Sequence, residues 1–224
     1  MERFLNNFLY AINFFKMTLG KSILFILSIL IIDQVSKIFI KTNFIYGEAG
    51  QIDVASWFKI LLIENEGMAW GTKIPGEHGK LILTVFRILA VFGIGYWLWD
   101  SCENKYSSNF LIVAIALIFA GAAGNIIDSV FYGVVFDDSY NHLAVLNAEK
   151  PYGTWFHGKV VDMLYFPIID THFPDWVPYF GGKEFKFFNA IFNIADVSIS
   201  TGVGILIVFN KKAFTPASPF KSIS

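Results

Sequence analysis

The sequence predicts an all-α membrane protein: four transmembrane helices, short strands at the membrane surface and one long extracytoplasmic loop. Two observations carry that prediction. The 224 residues are 55% hydrophobic, 18% aromatic and only 16% charged, against about 25% charged in an average soluble domain. Mean hydropathy is +0.55, and the apolar residues gather into runs long enough to cross a bilayer, which takes roughly 20 residues. The length suits a single membrane-embedded domain over residues 1–224. A net charge of −1, with no block of lysines and arginines, argues against a nucleic-acid partner. The single cysteine, Cys102, excludes an internal disulfide and a cysteine-cluster metal site.

Residues 1–20 carry Phe4, Leu5, Phe8, Leu9, Ile12 and Phe15 at helical spacing, as expected of an amphipathic helix lying on the membrane surface. No small-residue cleavage site precedes Asp33-Gln34, so a cleaved signal peptide is not expected. The predicted spans are 22–40, 81–99, 110–130 and 189–209. Trp97 and Trp99 stand where an interfacial aromatic belt is expected. Between the first two spans, Gly47, Gly50, Gly67, Gly71, Pro75, Gly76 and Gly79 punctuate β-forming residues, which predicts short strands. Between the last two, Pro151, Pro167, Pro174 and Pro178 break any long helix. An even number of spans puts both termini on one side. Arg3, Lys16 and Lys21 before the first span, with Lys211, Lys212 and Lys221 after the last, make that side cytoplasmic.

Polar residues inside the apolar segments form lines. Asp33 and Lys37 stand four apart with the acid first, the favourable order for a same-face pair. Gly121, Asn125 and Asp128 make one stripe, and Asn189, Asn193, Asp196 and Ser200 another. Lipid cannot satisfy such groups, so the stripes must face one another or a wet cavity. The Asp33–Lys37 pair reads as structural. Asn125 and Asp128 divide evenly between gluing helices together and positioning a substrate. His78, His142, His157 and His172 lie in loops without metal-ligand spacing, and no metal or cofactor is expected. Asp162, in Gly-Lys-Val-Val-Asp, and Asp196, closing Phe-Asn-Ile-Ala-Asp, each stand at the edge of an apolar segment. Two carboxylates from separate segments can share one proton, the requirement for activating water against an amide.

Five motifs resemble the signal peptidase II family, from about Leu24 to Phe209. They are Asp33-Gln34-Val35-Ser36-Lys37, Asn65-Glu66-Gly67-Met68-Ala69-Trp70-Gly71, Gly121-Ala122-Ala123-Gly124-Asn125-Ile126-Ile127-Asp128, Val160-Val161-Asp162 and Phe192-Asn193-Ile194-Ala195-Asp196. The resemblance implies four membrane helices with a small extracytoplasmic β-cradle and an active site near the outer, periplasmic face of the bacterial inner membrane. It implies a catalytic dyad of Asp162 and Asp196, supported by Asn65, Gly67, Asn125, Asp128, Asn193, Asp33 and Lys37. The implied partners are membrane lipids and prolipoproteins bearing a diacylglyceryl cysteine, cut on its N-terminal side by a monomeric enzyme. Two positions depart from the family pattern: Ser129 stands where an arginine is usual, and Ala120 replaces a glycine. The stretch 134–159 is longer than usual. A reading from another class is a small proton-coupled membrane transporter, whose acids would lie near mid-span.

Overall fold

A computed structural model describes residues 16–66, 75, 76 and 78–215. The expected amphipathic helix in residues 1–15, and Gly67 with the rest of its motif to Gly71, lie outside the described residues. Among the described residues, three helices are long and apolar enough to span a membrane: α1 (Leu19–Asn43), α2 (Gly79–Glu103) and a third running Asn109–Val135. The third is α3 (Asn109–Ile127), one π-helical turn (Asp128–Tyr132) and the short α4 (Gly133–Val135). At about 1.5 Å per residue, the 25 residues of α1 or α2 exceed the roughly 30 Å of a hydrocarbon core. Cys102, beyond the predicted span 81–99, belongs to the last turn of α2.

The predicted span 189–209 is corrected. Its helix, α5 (Ile194–Val208), has 15 residues and is followed by α6 (Asn210–Phe214). Asn189 and Asn193 are not helical, so they do not form a stripe with Asp196. Ahead of α5 the chain makes a short strand, β6 (Ile191–Phe192), whose backbone pairs with β3 (Val160–Tyr165) at Leu164↔Phe192 and Tyr165↔Ile191. Apolar periodicity does not separate strand from helix over so short a run; here the ladder took the backbone groups.

The chain divides into two compact units. One comprises the described parts of Met1–Asp33, Val85–Ile126 and Ile194–Ser224; the other comprises Gln34–Thr84 and Ile127–Asn193.

In the first unit a core of Ile26, Leu98, Ile112, Ile115, Ala116 and Ala120 packs the helices. α5 meets α3 through small residues, as helices in a membrane commonly do. A Cβ on Gly121 would stand 2.2 Å from the Ala195 carbonyl oxygen, and one on Gly202 would stand 2.6 Å from that of Ala114. Ser198 bridges the same contact by donating to the Leu117 carbonyl at 2.8 Å.

In the second unit a four-stranded antiparallel sheet has the order β1 (Gly47–Ala55), β2 (Phe58–Asn65), β3, β6. The strands expected between the first two spans are therefore present. A separate hairpin joins β4 (Ile169–His172) to β5 (Glu184–Phe187). Ile40, Phe44, Leu62, Tyr132, Phe136, Ala144, Val161 and Met163 form the core under the four-stranded sheet.

The close approach of α3 and α5 makes a testable distinction among glycines. Gly121→Leu should lower the unfolding temperature in detergent markedly, since the added carbon meets backbone and overpacking typically costs about 1–3 kcal/mol. Gly204→Ala, where a Cβ meets nothing within 4 Å, should leave it unchanged or slightly raised.

Candidate active site

The sequence-predicted residues fall into two groups, one in each unit. In the sheet unit, Asp162 lies in the middle of β3, opposite Ile63 of β2, and is 4% exposed. Antiparallel pairing sets Asn65 opposite Val160 and brings its amide to Asp162 Oδ2. Asn193, fully buried just after β6, donates to Asp162 Oδ1 at 2.7 Å and to the Val161 carbonyl at 3.3 Å. Each carboxylate oxygen thus receives an amide from a different strand segment, which fixes the plane of the carboxylate. The loss of the expected helix at Asn193 is what permits this: a residue leading out of a strand can reach sideways to β3.

Asp128 opens the π turn, and its carboxylate is fully buried. Lys37 pairs with its Oδ2 at 2.9 Å, Gln34 donates to its Oδ1 at 2.9 Å, and the Val161 amide reaches Oδ2 at 3.3 Å. The last bond fixes the backbone of the residue before Asp162. Ser129, where an arginine is usual in the family pattern, is also fully buried. Gly158 crosses here against the turn: its amide bonds the Ser129 carbonyl at 2.9 Å, and a Cβ would stand 2.0 Å from the Asp128 carbonyl oxygen.

A second buried network, which the sequence reading missed, lies on the neighbouring residue of β2. Glu64 accepts from Lys41 and, at 2.8 Å, from Ser139, while Lys159 stands 3.5 Å from its other oxygen. Lys41, fully buried, sits over the Phe136 and Tyr152 rings at 5.2 and 5.1 Å. Burial pushes the Tyr152 hydroxyl above its ordinary range, so it stays neutral and accepts the Lys159 amide at 2.7 Å. The long stretch 134–159 therefore supplies Phe136, Ser139, Tyr152 and Lys159 to a cage beside the strand residues Asn65 and Val160. The signal available in sequence was Lys41, a lysine near the end of an apolar run, which demands a partner.

In the helical unit, Asp196 occupies the first turn of α5, where the helix dipole favours a negative charge. Asn125 of α3 donates to its Oδ1 at 2.9 Å. Asp33, 1% exposed, accepts the Ala195 amide at 2.9 Å, satisfying one of the donors a helix start leaves open. Gly124 makes room for it, since a Cβ there would stand 2.6 Å from Asp33 Oδ2. Asp33 and Lys37, expected as a pair, thus each engage a further partner the sequence had not assigned. Arg87 of α2, also passed over, brings its guanidinium into electrostatic range of Asp196.

Residues 25–211 match the family described as Signal peptidase (SPase) II. The chain belongs to the signal peptidase II family. A lipoprotein signal peptidase of Porphyromonas gingivalis is 44% identical over 184 residues, covering 82% of this chain and 79% of the relative. That of Amoebophilus asiaticus is 38% identical over 187 residues, covering 82% and 74%. Among solved structures, a bacterial membrane enzyme determined in meso at 2.3 Å superposes with a TM-score of 0.58 at 26% identity, covering 93% of this chain and 97% of that one. Membership makes the protein a bacterial membrane peptidase, and all five motifs that carried the resemblance lie within the matched region.

The buried pair in the sheet unit yields a stability prediction. Asp128→Ala should destabilise the protein by about 3–5 kcal/mol, because Lys37 is left charged and buried. Lys37→Met combined with Asp128→Leu should recover most of that loss. Thermal unfolding of the three proteins in one detergent measures both effects.

Proposed function

We propose that this protein removes the signal peptide from prolipoproteins as an aspartic endopeptidase, with Asp162 and Asp196 as the paired carboxylates. The observation that carries this reading is that asparagine amides orient both aspartates. Asp128 and Glu64 face lysine ammonium groups. Asp162 and Asp196 take asparagine amides, from Asn65 and Asn193 in one case and Asn125 in the other. Amide donors hold a carboxylate in a defined orientation, which a group that must take and return a proton at a fixed position requires. Asn193, which holds Asp162, also precedes Asp196 by three residues in the chain. Family membership adds its support, and the transporter reading is not favoured, since Asp162 stands on a strand and not in a span.

The chemistry follows from two carboxylates sharing one proton. The ionised member takes a proton from a water, whose oxygen attacks the carbonyl carbon of the scissile amide. The protonated member gives its proton to the carbonyl oxygen, leaving a tetrahedral diol. When the diol collapses, one hydroxyl proton returns to a carboxylate, the other carboxyl protonates the departing nitrogen, and the C–N bond breaks. The dyad ends with one proton, as it began.

The substrate of this reading is a prolipoprotein whose cysteine carries a diacylglyceryl group, cut on its N-terminal side. Its acyl chains stay in lipid, so the enzyme needs to grip the peptide around the cut alone. The same reading makes α5 a fourth, short span, with both termini cytoplasmic, the carboxylates near the outer face and the enzyme a monomer in the inner membrane. Asn65, Asn125 and Asn193 orient the carboxylates, Asp33 caps the helix bearing Asp196, and Asp128 with Lys37 holds the strand bearing Asp162. Gly67 belongs to the same motif as Asn65.

Purified Asp162→Asn and Asp196→Asn variants should each lose cleavage of a lipidated prolipoprotein by about 10³-fold or more while keeping the wild-type unfolding temperature. Substantial turnover by either variant sinks the dyad. Among the described residues no group of three or more His, Cys, Asp or Glu side chains is placed to hold a metal ion, so EDTA should leave cleavage unchanged; loss of activity that zinc restores would contradict that. Sidedness can be read separately. Cysteines placed at the exposed positions Trp155 and His172 should react with an impermeant maleimide added outside spheroplasts, while half-buried Cys102 should not.

A further inference from the structure

The helical unit ends in a basic cavity that the catalytic reading does not use. It is open to the surface, has a volume of about 570 Å³ and is lined by four lysines from three separate segments: Lys16 before α1, Lys105 between α2 and α3, and Lys211 and Lys212 on α6. Among the described residues none of these four ammonium groups is ion-paired with a carboxylate. Four like charges gathered in one cavity repel one another, and an anion there removes that cost.

The cavity is built, not a chance grouping of mobile side chains. The Met17 amide donates to Asn109 Oδ1 at 2.8 Å, fixing the segment beside Lys16 to the start of α3. Ser108 Oγ donates to the Ala213 carbonyl at 2.8 Å and receives the Leu111 amide at 3.1 Å, joining α6 to the same point. The first turn of α3, a helix of 19 residues, adds its partial positive charge. Phe110 is the apolar residue of the lining. Lys212 Nζ stands over the Phe110 and Phe209 rings at 5.7 and 5.8 Å.

We propose that this cavity binds the phosphate of an anionic glycerophospholipid headgroup. The chemistry recognised is a phosphate group carrying net negative charge; the source is assigned to lipid because of where the cavity stands. α1 begins at Leu19, α2 ends at Glu103, α3 begins at Asn109, and α5 and α6 end at Phe214. These are the ends of the apolar helices, the level at which headgroups lie. Basic pockets between membrane helices bind anionic headgroups in this way. The site is independent of the carboxylate pair and does not rest on the proposed cleavage.

The test uses the full chain in a neutral maltoside detergent, with bound lipid counted by native mass spectrometry. Dioleoylphosphatidylglycerol should bind the wild type in preference to dioleoylphosphatidylcholine. Lys105→Gln/Lys211→Gln/Lys212→Gln should weaken that binding about tenfold or more, while the triple arginine replacement should keep it. The thermal unfolding temperature of both variants in the same detergent reports that they are folded; should the glutamine triple fail to fold, single Lys105→Gln and Lys212→Gln proteins replace it, each expected to weaken binding in part. Undiminished preference for phosphatidylglycerol in the glutamine variants would overturn the proposal. A thermal shift with inorganic phosphate, against chloride at equal ionic strength, as large as that with phosphatidylglycerol would overturn the lipid assignment in favour of a free phosphate site.

Discussion

A carboxylate inside an apolar protein must be given a partner, and this molecule is organised around that demand. Leaving one charged and unpaired costs several kcal/mol. Asp33 meets the demand with a helix amide, Asp128 with Lys37, and Glu64 with Lys41, Ser139 and Lys159. Each of these arrangements lies one or two residues from a residue of the proposed site. Asp33 bonds the residue before Asp196, Asp128 bonds the residue before Asp162, and Glu64 precedes Asn65. The supporting acids thus hold the backbone of the site, and the asparagines hold its side chains.

This division of labour explains why irregular backbone occurs where it does. The π turn at Asp128–Tyr132 breaks the α-helical rise at the point where Lys37, Gln34 and the Val161 amide converge on one carboxylate. Such turns often mark functional positions. Gly158 and Gly133 lie against this part of the chain, where a Cβ would stand 2.0 Å from the Asp128 carbonyl and 2.6 Å from that of Thr154. The stretch 134–159, whose length had no evident purpose, closes the lysine cage on Glu64 and returns the chain to β3 through Lys159.

Much of this could be read from the sequence, for identifiable reasons. The three long apolar runs declared themselves because nothing but a helix satisfies twenty lipid-facing backbone groups. Asp162, Asp196 and the asparagines stood out as polar residues in apolar settings. The fourth helix was misjudged at its start because Asn189–Asn193 keeps an apolar character compatible with either strand or helix, and pairing with β3 decided it. The expected pairing of Asp33 with Lys37 rested on spacing within α1 and could not foresee the Ala195 amide or Asp128. Glu64 with Lys41 and Lys159, and Arg87 in electrostatic range of Asp196, escaped notice for the same reason: their partners are distant in sequence.

The central claim is that Asp162 and Asp196 act as one unit. Groups that work together are not additive when removed. The direct measurement is single-turnover cleavage of a lipidated prolipoprotein by the double variant Asp162→Asn/Asp196→Asn beside each single variant. If the two carboxylates share one proton in one step, the double variant's residual rate will match that of the slower single variant. A double variant slower by the product of the two single losses would mean that the aspartates contribute independently, and would contradict the pairing.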